Sequence, residues 1–132
     1  MSDGAKTILL VDDDVDFVEA NKIALEAKGF NVITAGDSKS GIELAVSGHP
    51  NLIVIDLMME ELYAGFQAVQ QLRAHSETSA IPVIMVSGIT TETGFRVDGG
   101  DQKPEWLNVV EFVNKPVDPM VLADKVASIL GQ

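Results

Sequence analysis

Asn51-Leu52-Ile53-Val54-Ile55-Asp56-Leu57-Met58-Met59 is an apolar run of strand length that carries one carboxylate near its end. It is rich in Ile and Val, follows His49-Pro50 and gives way to Glu60-Glu61. Such a run fits a strand buried on both faces, as the middle of a parallel sheet requires. An aspartate is costly to bury in that setting, so the pattern places Asp56 where the strand leaves the sheet, at its C-terminal edge. In open parallel α/β sheets that edge is where ligands bind. Taken alone, the stretch is equally compatible with a turn aspartate that merely ends a strand.

Working outward, Thr7-Ile8-Leu9-Leu10-Val11 is a second short apolar run, and it too ends on acid, Asp12-Asp13-Asp14. Phe17, Ala20, Ala24 and Leu25 then recur at helical spacing, with Gly29 suited to the left-handed residue that closes a helix. Phe30 to Ala35 reads as a strand and Ser38 to Ser47 as a helix ended by Gly48-His49-Pro50. Beyond the central strand, Phe66, Val69 and Leu72 mark a third helix, and Ile81 to Ser87 a fourth strand. From Gly88 to Pro104 no helical stripe survives, and the Gly/Asp/Thr-rich sequence predicts an irregular loop. Val109 to Val113 resumes as a fifth strand before Asn114-Lys115-Pro116. Asp118-Pro119 then supplies a cap and first residue for a last helix with Leu122, Val126 and Ile129 inward. Strands and helices in alternation specify right-handed βαβ units and a parallel sheet covered on both faces.

The chain has 132 residues, enough for one domain with a real core; 1–132 is read as a single domain. Nine basic against twenty acidic residues give a net charge of −11, which argues against nucleic acid or an anionic membrane as a direct partner. The absence of Cys excludes a disulfide framework and a thiolate site. No cationic leader or membrane-length apolar run stands at the N-terminus, so the expected compartment is the cytoplasm.

In a parallel sheet, the residues after each strand gather at one edge: Asp12 and Asp13, Asp56, Ser87 and Lys115. Three carboxylates packed together repel, which raised pKa values or a hard divalent cation would relieve. Oxygen ligands of this kind suit Mg²⁺, which takes one or two carboxylates plus a phosphate oxygen. A lysine and a hydroxyl nearby serve an anion attached to a carboxylate, so the chemistry implied is phosphoryl transfer onto aspartate. Singly, Ser87 reads as a strand-end cap and Lys115 as a solvated charge; the set of five carries the argument.

With these motifs in this order, Ile8-Leu9-Leu10-Val11-Asp12-Asp13-Asp14, Ile55-Asp56-Leu57-Met58-Met59, Val86-Ser87-Gly88 and Asn114-Lys115-Pro116, the chain resembles the CheY-like receiver domains of two-component response regulators. The resemblance covers essentially the whole chain. It implies a flavodoxin-like, doubly wound α/β fold with a five-stranded sheet in the order 2-1-3-4-5. It implies a signalling module rather than an enzyme, a stand-alone receiver that takes a phosphoryl group from a sensor histidine kinase or phosphotransfer protein onto Asp56. Asp13, Asp56 and the Met58 carbonyl would bind Mg²⁺ directly, with Asp12 acting mainly through water. Ser87 and Lys115 would hold phosphoryl oxygens, and Ser87 with Phe112 would form the switch, unless Phe112 is an ordinary strand aromatic. Lys115-Pro116 matches the peptide bond that is cis in the family. An unidentified downstream protein and, on phosphorylation, a second copy of the chain complete the implied partners.

The chain departs from the family in two places. After Asp56 the usual proline is missing, and Gly65 comes one residue later than expected. Between Ser87 and Lys115 the segment is long, and the family's fourth helix is expected to be shortened or replaced by a loop, with Trp106 covering the core there. Met58 and Ile89 are apolar where the family tunes water attack on the aspartyl phosphate, so self-dephosphorylation is expected to be slow. Three other readings compete with this one. A metal-dependent phosphohydrolase would want a second acid at Met58, and a flavin or nucleotide carrier would want a phosphate loop after Val11. A degenerate receiver acting without phosphorylation would not need all five positions. His49 and His75 are assigned no catalytic role.

Overall fold

The computed structural model describes residues 5–57, 64–87 and 109–131, with only the backbone of Ala64, Phe66, Ser87, Val109 and Phe112. The expectations for the segment 88–108, including the altered fourth helix and Trp106, and those for Met58 lie outside these residues.

Five strands, β1 (Thr7–Val11), β2 (Asn31–Ala35), β3 (Leu52–Asp56), β4 (Val83–Ser87) and β5 (Val109–Asn114), form one parallel sheet in the order β2-β1-β3-β4-β5. Among the described residues, four helices, α1 (Val15–Ala27), α2 (Ser38–Gly48), α3 (Ala64–Ala74) and α4 (Pro119–Leu130), cover it. The resulting α/β layer architecture is the doubly wound one that the alternation of elements specified.

The pleat sorts the core. Ile8, Leu10, Leu52, Val54, Ile84 and Val86 pack against Ala24 and Leu25 of α1 and Leu122, Ala123 and Val126 of α4. Their neighbours Leu9, Val11, Ile53, Ile55, Val83 and Met85 pack on the opposite face against Ala45 of α2 and Ala68, Val69 and Leu72 of α3. Side chains alternate between faces along a strand, so runs apolar at every position follow from a sheet buried on both sides.

Helix starts follow local chemistry. Asp14, Asp37 and Asp118 each cap a helix, accepting from the backbone N–H of Phe17, Ser40 and Met120 respectively. The Asp37 carboxyl is held below its ordinary pKa by the Ser40 N–H. Gly29 takes the positive φ expected just beyond α1. The left-handed residue after α2 is His49, at φ 47°. One detail differs from the sequence reading. In α1 the inward position expected of Ala20, which is exposed, is taken by Asn21, 1% exposed; its Nδ2 donates to the Phe17 carbonyl, 2.8 Å away. The stripe therefore runs through a polar residue that apolar periodicity passes over.

Candidate functional site

Asp56 is the last residue of β3, only 6% exposed, and Asp12 directly follows β1 at 3%. The parity that sends Ile8 and Leu10, and Leu52 and Val54, toward α1 and α4 continues to Asp12 and Asp56. On β5 the same parity links Val113, in that core, to Lys115. Three charged side chains thus reach the same side of one sheet edge from three neighbouring parts of the sheet.

Their geometry is specific. Lys115 Nζ lies 3.0 Å from Asp12 Oδ2 and 3.2 Å from Asp56 Oδ2, with Asp14 Oδ2 at 4.0 Å. Burial alone would pull the ammonium pKa down, but the negative charges of Asp12 and Asp56 beside it outweigh burial and the net shift is upward. Lys115 therefore stays a cation throughout the neutral range. Its Nζ also stands 4.6 Å from the centroid of the Phe17 ring.

Asp12 is fixed from two directions. Its own N–H donates to Ala35 O at 3.0 Å, and Oδ1 accepts from Asp14 N–H at 2.9 Å, an aspartate turn that aims the carboxylate inward. Its other oxygen, Oδ2, is buried and lacks a well-directed hydrogen bond, although it ion-pairs with Lys115. Asp13 is exposed, yet ligand oxygens of Asp12, Asp13 and Asp56 lie within 4.8 Å of one another. An all-carboxylate donor set with one under-satisfied buried oxygen fits a hard divalent cation.

The last turn of the site rests on close backbone approach. Gly65 N–H donates to Leu57 O at 2.7 Å, and Leu57 N–H donates to Val86 O at 2.7 Å, tying the end of β3 to α3 and to β4. A Cβ at Gly65 would run into the Asp56 carbonyl and the Leu57 Cα. The glycine that stands one place later than expected still serves this contact.

Of the residues singled out from the sequence, Asp12, Asp13, Asp56 and Lys115 are brought together. Ser87 ends β4 and pairs in register with Asn114, next to Lys115, while Phe112 pairs with Met85; their side chains lie outside the described residues. The Lys115-Pro116 bond is cis. His49 and His75 are exposed loop residues. Sequence reasoning missed Asp14 and Phe17 as neighbours of Lys115. Asp14 caps α1 in the structure, but nothing in local periodicity pairs a ring on α1 with a lysine beyond β5.

The family model for the response regulator receiver domain matches residues 8–127, and the chain belongs to that family of two-component signalling modules. Protein PilH of Pseudomonas aeruginosa is 35% identical over 124 residues, spanning 94% of this chain and 97% of PilH. The probable transcriptional regulator ycf27 of Cyanophora paradoxa is 32% identical over 125 residues, 95% of this chain. The chain spans about half the length of that regulator, 48%. A crystal structure of a response regulator from Desulfuromonas acetoxidans superposes with a TM-score of 0.76 at 27% identity, covering 96% of this chain and 97% of the other. Members of the family are phosphoproteins that use Mg²⁺ at an acidic pocket and work with histidine kinases or phosphotransfer proteins and downstream targets. No helix among the described residues is long and apolar enough to cross a membrane.

Proposed function

We infer that this chain is a stand-alone receiver, one domain over 1–132, whose Asp56 accepts a phosphoryl group from the phosphohistidine of a sensor kinase or phosphotransfer protein. The observation that carries this reading is the Lys115 ammonium seated between Asp12 and Asp56 beside a third carboxylate, Asp13. Asp12, Asp13, Asp56 and the Met58 carbonyl would hold Mg²⁺, which when bound neutralises charge on the transferring group.

The chain's own residues do the rest. An Asp56 Oδ lone pair forms the new bond to phosphorus as the P–N bond breaks, and that electron pair leaves on the imidazole nitrogen. Asp56 lies at a strand end, held by the Leu57 N–H bond to Val86, so the nucleophile is positioned rather than searching. Lys115 spreads positive charge over a phosphoryl oxygen, and the Ser87 hydroxyl donates to another. Motion of Ser87 toward the phosphoryl group would let Phe112 turn inward, changing the surface offered to a downstream protein or to a second copy of the chain.

Intact mass spectrometry after addition of acetyl phosphate tests this reading. One phosphoryl increment, mapped to Asp56 and abolished by chelating Mg²⁺, is expected; no increment under conditions that label an ordinary receiver domain would sink it. A Met58→Asn, Ile89→Glu double variant is expected to shed its label several-fold faster than the parent. Equal or slower decay would remove the account of a long-lived phosphoryl group.

A further inference from the structure

We propose that Phe17 is a positioning residue for Lys115, holding the ammonium over the phosphoacceptor through the face of its ring. The ring centroid is 4.6 Å from Nζ, within the range where a cation is attracted to the aromatic quadrupole. Phe17 is partly buried against the α1/α4 core, so the ring is anchored. Its backbone is anchored too, since Asp14 Oδ1 accepts from Phe17 N–H at 3.2 Å. The same Asp14 places its other oxygen 4.0 Å from Nζ. The first turn of α1 is thereby built as a seat for the ammonium.

The ring matters because of what the reaction does to the other partners. In the resting protein Lys115 is held by Asp12 and Asp56. On phosphorylation the Asp56 carboxylate becomes an acyl phosphate, and that oxygen no longer carries a charge. Asp12 belongs to the carboxylate set that suits a cation. Among the described groups around Nζ, the Phe17 face and the more distant Asp14 are the ones untouched by either event. A π-face also attracts the ammonium without fixing one hydrogen-bond geometry, so Nζ can follow the phosphoryl oxygen while staying over the ring.

The proposal rests on Lys115 serving the phosphoryl group, and its test separates the two. Phe17 is replaced in the full chain by 4-fluoro-, 3,5-difluoro- and 3,4,5-trifluorophenylalanine, which keep the ring's shape while draining its face of negative potential. The rate of Asp56 labelling by acetyl phosphate at saturating Mg²⁺ is expected to fall stepwise, about two- to fivefold across the series, at constant melting temperature. In the metal-free protein, NMR is expected to show the Lys115 ε-methylene protons shifted upfield by the ring current. A flat rate series in a protein that labels normally, or ε-methylene protons at their unshifted position, overturns the role of Phe17 alone. A parent chain that takes no phosphoryl group overturns the reading of the site and this proposal with it.

Discussion

Asp56→Asn is expected to take no phosphoryl group from acetyl phosphate and, in the absence of divalent cations, to melt above the parent. The first half follows from removing the nucleophilic oxygen while keeping the shape of the side chain. The second comes from weighing charges. Asp56 attracts Lys115 across 3.2 Å and repels Asp12 and Asp13, whose ligand oxygens lie within 4.8 Å. At an effective dielectric of about 20, the attraction is about 5 kcal/mol and each repulsion about 3 kcal/mol or more. Exposure of Asp13 screens one repulsion, leaving a small balance in favour of the neutral amide, to which relief of burying a carboxylate adds. A gain of about 1 kcal/mol is expected from denaturant melts without metal. Added Mg²⁺ should then reverse the order, because a parent at ten times its dissociation constant gains about 1.4 kcal/mol and the variant, missing a ligand, gains little. A variant less stable than the parent in chelator would mean that the ion pair with Lys115 outweighs the repulsion in the cluster.

The second large effect concerns a residue with no side chain. Gly65→Ala places a methyl group against the Asp56 carbonyl and the Leu57 Cα, both backbone atoms in a buried strand end. A flexible side chain could yield to such an intrusion, but the strand cannot without breaking the Gly65-to-Leu57 and Leu57-to-Val86 hydrogen bonds. A loss of about 3 kcal/mol, at the upper end for overpacking, is expected from urea melts. Because the displaced residue is Asp56, Mg²⁺ affinity should fall with it. A variant within about 0.5 kcal/mol of the parent would show that α3 can move away from β3 freely.

Much of this architecture was readable because the same elementary rules act at every strand. Period-two burial on both faces makes continuous apolar runs, and each such run ends where the sheet's edge must be, so the sequence pattern alone gathers Asp12, Asp56 and Lys115 at one edge. Strand order was not legible from periodicity and came from resemblance to a family. Asn21 was missed because a helical stripe is found by looking for apolar residues, and a buried amide that bonds its own helix leaves no such mark. The Phe17 contact depends on where β5 delivers Lys115, which is a product of the whole fold rather than of any window of sequence.

The parity along β3 also says something about how such a protein can change. Leu52, Val54 and Asp56 share one side of the strand, and Ile53, Ile55 and Leu57 the other. A slip of one residue would exchange the two sets, turning the carboxylate away from Lys115 and toward α2 and α3. The apolar alternation is nearly symmetric, since leucine, isoleucine and valine fill both sides, so packing alone discriminates weakly between the two registers. Asp56 breaks that tie: only one register gives its charge a lysine. The residue that would carry the signal is then also the mark by which the chain knows its own alignment, and a lineage that lost the carboxylate would have to find that mark elsewhere.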